Sequence, residues 1–373
     1  MTATVQAQLA PASPDLLINP VQRAPAISGG TVEFVAASSF FARQGIRECD
    51  NLFYSQRWLS VLNAAYDLAT LAVVSSPSQQ YLLFSVHDDF GGRRLHSLPF
   101  SDYVQPGIEL DKAEQLLHQL LKSYADHSVI FKATAEMFPF FEKNHWKVTR
   151  QAMYHRVTIR DEETMWKNLS PSFRRGLRKA EKHQVRIAVR HDLEAMDRFY
   201  ELHSRLRKKK FHSVPQPPSF FRAIHHEYIS PRAGFVLEAT CNEQLLAAMI
   251  VLVHNRVSYY KFGASEVDRL ELRPNNLLFW HLLLCAREQG CEQVDLGLSG
   301  ASESYAGLVQ FKEGLGGVSA PIRYFRKDPP GFEPRKEDEF KKLLSELTSL
   351  FVDESTNLKT TQKAGQILYR YFA

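Results

Sequence analysis

The sequence predicts an α/β fold with a mixed sheet that is built twice along the chain. Helical spacing of apolar residues alternates with short segments typical of strands. The order of these patterns repeats, because each half has helices, a meander of antiparallel strands, and then helix, strand, helix and strand. A length of 373 residues is natural for two domains, and 44% hydrophobic residues suffice for two cores.

In the first half, residues 55–66 are predicted to form a helix because Trp58, Leu59, Leu62 and Tyr66 share one face. Asp111 caps a second helix that runs to about residue 124. Alternating and apolar runs between turn residues indicate the other elements. We predict strands at 31–34, 70–75, 81–87, 94–98, 129–132, 147–150 and 153–159, and a short helix at 136–143.

In the second half, Ser170-Pro171 separates two predicted helices, and Asp192 opens a long helix to about Lys210. Asn242-Glu243 and Asn255 provide tight turns between three antiparallel strands. We predict strands at 184–189, 234–240, 244–254, 256–263, 293–296 and 318–326, and helices at 161–169, 172–183, 219–228, 273–289, 304–315, 334–350 and 358–371.

These elements divide the chain into four parts. Residues 1–30 are rich in Ala, Pro and Ser, lack the pattern of a signal peptide, and are expected to be a disordered tail. We place the first domain at 31–160, the second at 161–328, and a helical tail at 329–373.

Composition excludes several classes of function. The four cysteines form no C-x-x-C and have no His at metal-ligand spacing, so we expect a reducing compartment, the cytoplasm, and no metal site. No apolar run approaches the ~20 residues of a membrane helix. The chain also lacks a Walker loop, an H-E-x-x-H and a G-x-S-x-G motif.

The formal net charge of +5 is unevenly distributed. Residues 174–210 hold thirteen Lys and Arg against five acids, a local net charge of +8. Arg175, Arg178, Lys179 and Lys182 are helical neighbours and form a stripe that suits the phosphates of tRNA, CoA or a lipid-linked sugar precursor. The alternative is an ordinary solvated helix face.

Four stretches resemble the FemAB and BioF-like acyltransferases. They are residues 51–58 (NLFYSQRW), 97–103 (SLPFSDY) with Pro106, 172–185 (SFRRGLRKAEKHQV), and 260–280 followed by Gly290, Asp295, Gly297 and FKEGLGG at 311–317. The resemblance implies two acetyltransferase-like (GNAT) domains with mixed, mainly antiparallel sheets. Members of the family include acyl-CoA enzymes, transferases that move an aminoacyl group from tRNA to a peptidoglycan precursor, and proteins linked to exopolysaccharide production.

Three residues are candidates for catalysis. Lys312 shares a helix face with Leu308 and Val309, where an ammonium is costly to bury, and the resemblance implies that it stabilises the anion formed at the attacked carbonyl. The alternative is a solvated helix lysine. Asp295, in VDLG, is a candidate base, with a turn cap as the alternative. Asp102 is expected to face the cleft as a base or an acceptor ligand, or to be a simple turn residue.

Other residues are candidates for binding. Arg273, Asn275 and Asn276 stand where a strand meets a helix, so backbone N–H groups there can hold a phosphate, although an acetyl-CoA enzyme normally has a glycine-rich loop at this point. The alternative is a helix that simply begins at Pro274. For the substrate we select Tyr103, Tyr260 and the basic residues Arg175, Arg178 and Lys179. Tyr260 is equally compatible with a place in the core.

We therefore expect an N-acyltransferase that moves an acyl group from acyl-CoA to a primary amine of a cell-envelope or polysaccharide precursor. Acyl-CoA would be a co-substrate, with no tightly bound cofactor, and peripheral contact with a membrane belongs among the expected interactions. One alternative changes the donor to aminoacyl-tRNA. The other is a non-catalytic protein that binds a glycan precursor, which the missing glycine-rich loop favours.

Overall fold

A computed structural model describes residues 31–76, 78–105 and 107–372, so the predicted tail at 1–30 and Pro106 lie outside the described residues. The described residues form twelve strands and twelve α-helices. The strands are β1 (Thr31–Ala36), β2 (Thr70–Ser76), β3 (Gln80–Asp89), β4 (Gly92–His96), β5 (Ser128–Thr134), β6 (Lys147–Thr158), β7 (Arg186–Arg190), β8 (Gly234–Cys241), β9 (Gln244–His254), β10 (Val257–Ser265), β11 (Gln293–Gly300) and β12 (Val318–Lys327). The helices are α1 (Ala37–Phe41), α2 (Gln56–Tyr66), α3 (Leu110–Ser123), α4 (Phe138–Lys143), α5 (Glu162–Asn168), α6 (Pro171–Lys182), α7 (Leu193–Lys209), α8 (Pro218–Ile224), α9 (Pro274–Glu288), α10 (Ala306–Gly314), α11 (Pro334–Val352) and α12 (Leu358–Leu368).

The strands of both halves lie in one sheet with the order β1-β2-β3-β4-β5-β12-β6-β11-β10-β9-β8-β7. Only β4 with β5 and β10 with β11 are parallel neighbours; the other pairs among the twelve strands are antiparallel. This mixed, mainly antiparallel sheet agrees with the predicted fold class. The strand order shows the repeat: β1 to β5 follow one another from one edge of the sheet toward its centre, and β7 to β11 do the same from the other edge.

The last strand of each half is exchanged with the other half. Strand β12 lies between β5 and β6, and β6 lies between β12 and β11. The halves are therefore joined into one sheet rather than forming the two separate sheets that two independent domains would have. The domain boundary near residue 160 stays a prediction, because β6 pairs on both sides with strands of the second half.

Helices cover both faces of the sheet in the second half. Tyr259 and Tyr260 are consecutive on β10, so their side chains point to opposite faces. Tyr259 belongs to a core with residues of α2, α7 and α8, whereas Tyr260 packs on a core with residues of α5, α6 and α9. Helices α7 and α9 thus lie on opposite faces.

Several predicted boundaries were displaced. The two strands predicted at 147–150 and 153–159 are one strand, β6, since Gln151 and Ala152 keep the ladder with β12. The helix predicted at 219–228 is α8 followed by a π-helical turn at His225–Ile229. Helix α1 was not predicted, because five residues are too few to show helical spacing.

Candidate functional site

Strands β10 and β11 diverge in the middle of the sheet. Their parallel pairing covers only three residue pairs, from Val257–Gln293 to Tyr259–Asp295, although both strands continue. The register of β10 shifts at Tyr260/Phe262 and that of β11 between Asp295 and Leu298, where Gly297 has a φ of +70°. Glycine adopts this backbone readily, so the local sequence permits β11 to bend away from β10 and open a gap.

A loop from the first half enters this region. Strand β4 pairs with β5 up to Ile130, and after an excursion Val104 returns to form a bridge with Ala133. The excursion, residues 97–103, is called the site loop. It carries Asp102 and Tyr103 to β10 and β11, and so brings these residues of the first half against the second half.

Asp102 stands at the gap between β10 and β11. Its Oδ1 accepts a hydrogen bond from Nζ of Lys261, on β10, at 2.6 Å, and the same ammonium reaches the carbonyl of Phe100 at 3.3 Å. Its Oδ2 lies 3.5 Å from where a Cβ at Gly297 would be. The Asp102 side chain is 23% exposed, and that of Lys261 only 3%. Asp102 is therefore an ion-paired carboxylate that remains reachable.

Tyr103 and Asp295 meet on the face of the sheet that α7 covers. The Tyr103 hydroxyl donates to Oδ2 of Asp295 at 2.5 Å and accepts from Nη2 of Arg156, on β6, at 2.6 Å. Oδ1 of Asp295 accepts from the backbone N–H of Gly297 at 2.8 Å. Asp295 thus caps the bend in β11 while it bonds Tyr103. Burial raises the pKa of Asp295, although the Tyr103 hydroxyl and Arg156 act to lower it.

Lys312 approaches the gap from α10. It is 1% exposed, and its ammonium donates to the carbonyl oxygens of Gly297 (3.1 Å) and Leu298 (2.9 Å) and to Oγ of Ser299 (3.1 Å). Burial lowers the pKa of Lys312 to about 8, against the opposing fields of Asp102 and Asp295. An ammonium is thereby held at the bend of β11 by neutral oxygens.

The predicted surroundings of Lys312 need one correction. Leu308, expected on the same inward face, is 39% exposed. Residues 301–308 are all exposed, so only the C-terminal turn of α10 reaches the core. His155, on β6, was not predicted to lie near Lys312. It is fully buried, neither ring nitrogen has a hydrogen-bond partner among the described residues, and burial with the field of Lys312 lowers its pKa to about 4.

The remaining predicted residues lie on the other face, around α9. The ring of Tyr260 packs 4.7 Å from that of Phe279, so its side chain points away from Tyr103 and Asp295. Arg273 is exposed and has a left-handed backbone with φ of +60° just before α9. Asn275 accepts from Oγ of Ser265 at 2.9 Å, and Asn276 is 8% exposed. The structure therefore does not gather Tyr260 with the acids. It places Asn275 and Asn276 in the first turn of α9 and Arg273 just before that turn.

The basic stretch 174–210 is divided between the two faces of the sheet. Helix α6 packs in the same core as α9, whereas α7 belongs to the core on the opposite face. Arg198 and Arg205 of α7 are paired with Glu238 and Glu266. The excess of positive charge is continuous in the sequence, but β7 lies between α6 and α7 in the chain and the two helices pack on opposite faces of the sheet.

The stripe on α6 nevertheless adjoins the start of α9. A Cβ at Gly176 would lie 2.6 Å from Cγ of Asn276, so the glycine allows α6 to cross the first turn of α9 closely. The stripe, Arg175, Arg178, Lys179 and Lys182, is exposed. Within the described ranges, none of these four side chains forms an ion pair within 4.0 Å.

Lys261 and Lys132 were missed by sequence reasoning. Each is a lone lysine inside an apolar strand, VSYYKFGAS for Lys261 and SVIFKAT for Lys132. A cation at such a position is unusual, because burial of a charge requires compensating partners. A lysine in an apolar strand can be recognised in the sequence. The hydrogen bond from Arg156 to Tyr103 cannot, because it depends on the position of β6 between two strands of the second half.

In the part of the chain that the structure covers, no three His, Cys, Asp or Glu side chains are grouped so that they could hold a metal ion. No described helix combines the length and the apolar character needed to cross a bilayer.

Comparison with known proteins agrees with this architecture. Residues 168–312 match the family model of the acetyltransferase (GNAT) domain. No curated protein sequence matches the chain. Among solved structures, FemX has a TM-score of 0.57 at 13% identity, with 82% of this chain and 97% of that chain covered. The C-terminal domain of a putative lysylphosphatidylglycerol synthetase from Agrobacterium fabrum has a TM-score of 0.53 at 11% identity, with 82% and 96% covered.

A third structure, L-PGS from Bacillus licheniformis, has a TM-score of 0.53 at 13% identity and covers 82% of this chain and 95% of its own. At such identities the likeness concerns the fold, and the narrower FemAB and BioF-like membership stays a prediction. The predicted fold class is confirmed: the chain has the GNAT fold built twice, and residues 168–312 match the acetyltransferase (GNAT) domain model.

Proposed function

We propose that the protein is an N-acyltransferase that moves an acyl group from acyl-CoA to a primary amine of a cell-envelope or polysaccharide precursor. One observation carries the proposal: the buried ammonium of Lys312 and the carboxylate of Asp102 both stand at the gap between β10 and β11. Attack of an amine on a thioester requires a base for the amine proton and a cation for the oxygen that becomes negative.

Asp102 is the base in this proposal, and Lys312 stabilises the oxyanion through the field of its buried charge, because its three N–H groups already donate to Gly297, Leu298 and Ser299. Asp102 is preferred over Asp295 because its side chain is 23% exposed, whereas that of Asp295 is 2% exposed and is bonded to Tyr103. Asp295 and Tyr103 then fix the bend of β11. The amine attacks the acyl carbon, its proton passes to Asp102, and the C–S bond breaks to release the CoA thiolate, which takes up that proton and leaves as the thiol while Asp102 is regenerated.

The donor phosphates are assigned to the start of α9. Backbone N–H groups at a helix start attract phosphate, and this helix is crossed by α6 with its four exposed cations. The close contact at Gly176 and Asn276 sets the two features side by side. This pairing takes the place of the glycine-rich loop that acetyl-CoA enzymes normally have.

The acceptor is assigned to a cavity of about 720 Å³ on the Tyr259 side of the sheet. Its wall includes Arg156 and Tyr259 together with Arg47, Glu48 and Asp50. Because both signs of charge line this cavity, it suits a polar acceptor that carries an amine and an anionic group. Arg156 links the cavity to the hydroxyl of Tyr103.

The test is release of free CoA thiol from acetyl-CoA and succinyl-CoA with a panel of amines that contains amino sugars, nucleotide-linked amino sugars and lysine peptides. We expect release that depends on the amine, a mass increase of the amine by one acyl group, and loss of both with Lys312→Met. Absence of amine-dependent release, together with absence of CoA binding by calorimetry, would contradict the proposal.

A second donor, aminoacyl-tRNA, is favoured by one observation. The stripe on α6 runs from Arg175 to Lys182, about 10 Å along the helix at 1.5 Å per residue, and all four cations are without acid partners in the described ranges. A polynucleotide backbone can use the whole stripe. Mass analysis of what co-purifies with the protein separates the two donors, since CoA supports the first proposal and tRNA the second.

A further inference from the structure

A buried lysine that the proposed reaction does not use lies at the base of the site loop. Lys132, on β5, is 5% exposed, and its ammonium donates to the carbonyl oxygens of Leu98 at 3.1 Å and Ser101 at 2.6 Å. Among the described residues, no carboxylate oxygen lies within 4.0 Å of this ammonium. The Lys132 amine is therefore held by two backbone carbonyl groups of the site loop, with the ring of Tyr324 5.6 Å away. Burial at this place costs free energy when the amine is charged.

The site loop has an unfavourable backbone that needs such restraint. Leu98 and Phe100 have φ of +51° and +59°, a region that residues with a side chain seldom occupy. The two carbonyl groups bonded by Lys132 are three residues apart, with Phe100 between them. One ammonium thus closes the loop across its strained residue.

Other contacts hold the same segment. Nε1 of Trp58 donates to Oγ of Ser101 at 2.8 Å, and the backbone N–H of Lys132 donates to Oγ of Ser97 at 2.9 Å. The ring of Phe100 stacks on that of Tyr66 at 4.3 Å. Because Ser101 directly precedes Asp102, a shift of its carbonyl moves the carboxylate by a comparable distance.

We propose that Lys132 is a positioning residue of the transferase site: it fixes the site loop so that Asp102 and Tyr103 meet the bend of β11. This inference rests on the proposed function, because it takes Asp102 to be the base. Lys132 itself contacts neither substrate. Five charged or titratable groups lie around it: Asp102, Lys261, Arg150, His96 and Tyr324, whose ring centroid is 5.6 Å from the ammonium.

A double-mutant cycle tests the proposal. Lys132→Met, Asp102→Asn and the double variant are assayed with acetyl-CoA and an amine from the panel. A misplaced Asp102 should lower kcat about tenfold and leave KM for acetyl-CoA within about twofold. In the Asp102→Asn background, Lys132→Met should lower kcat by much less than tenfold, since the base is already absent and only Tyr103 remains to be misplaced. Effects that multiply in the double variant would overturn the proposal.

Hydrogen–deuterium exchange gives a measurement that does not depend on turnover. With Lys132→Met we expect about tenfold faster exchange of the amides of Leu98 and of residues 100–103, while exchange in the β8–β9 hairpin stays unchanged. Unchanged exchange in the site loop, or faster exchange over the whole sheet, would overturn a local positioning role. If the wild-type protein transfers no acyl group, the proposed function is refuted. Faster exchange confined to the site loop of Lys132→Met would then still show that Lys132 restrains the loop.

Two further variants complete the design. Lys147→Met changes an exposed lysine on β6 and is the matched control, for which kcat and exchange should stay at the wild-type values. Lys132→Gln retains an N–H donor of shorter reach and replaces Lys132→Met in both measurements if that variant fails to fold. The same outcomes then decide the proposal.

Discussion

The hydroxyl of Tyr103 donates to Asp295 across 2.5 Å, although the two residues are 192 positions apart in the chain. Tyr103 belongs to the site loop of the first half, and Asp295 ends the parallel pairing of β10 and β11 in the second half. The bend in β11, which separates β11 from β10 in the second half, is thus stabilised by a residue of the first half. The candidate site is a joint product of both halves.

Lys312→Met should reduce kcat about 10²–10³-fold, the range seen when one oxyanion donor is removed. Methionine has similar length but no charge, and the negative oxygen exists only in the transition state, so KM should change little. Rate assays and a melting curve measured together check this. Lys363→Met, an exposed helix lysine, is the control. A stable and fully active Lys312→Met protein would remove Lys312 from the mechanism.

The rate should fall as pH rises above about 8, because Lys312 stabilises the oxyanion only while it is protonated and burial lowers its pKa to about 8. Asp102→Asn tests the electrostatic effect of Asp102 on the pKa of Lys312. The field of Asp102 raises the pKa of Lys312, so its loss should move the alkaline limb of any residual activity to lower pH. A pH–rate profile of each protein measures both effects. An alkaline limb that stays in place would mean that another group titrates.

Stability should also depend on pH through Lys132. Burial lowers the pKa of Lys132 to about 7 from an ordinary value of 10.5, so between these values the unfolded chain binds more protons than the folded one. The free energy of unfolding contributed by this residue therefore rises with pH. From pH 7 to pH 9, wild type should gain about 2 kcal/mol relative to Lys132→Met. Urea titrations at the two pH values measure this, and an unchanged difference would contradict it.

Charge reversal should separate the two basic helices. Arg178→Glu, Lys179→Glu and Lys182→Glu together should weaken donor binding and flatten its salt dependence, because α6 crosses the start of α9. The matched control is Lys208→Glu, Lys209→Glu and Lys210→Glu at the end of α7, on the opposite face. Calorimetry with CoA and filter binding with tRNA, each at several salt concentrations, give the slopes. Equal losses in both variants would indicate non-specific attraction.

Much of the secondary structure was predictable because it depends on the spacing of apolar residues and on capping residues that are close together in the sequence. The face of α2 and the Asp192 cap of α7 each follow from neighbouring residues. What local patterns cannot show is the partner of a strand. The sequence of β6 is compatible with an edge strand, and only the tertiary structure places Arg156 beside Tyr103 and Asp295. The same limit explains the basic stretch, which is continuous in sequence and divided by the sheet.

The exchange of β6 and β12 has a consequence for how the protein folds during synthesis. Strand β5 lacks its outer neighbour until Lys327 has left the ribosome, since that neighbour is β12. The first half consequently waits with an unpaired strand edge while some 170 further residues emerge, from Thr158 to Lys327. Such an edge is a site for mistaken pairing between nascent chains. Two halves produced as separate polypeptides should each be prone to aggregation, and together they should assemble into the complete sheet.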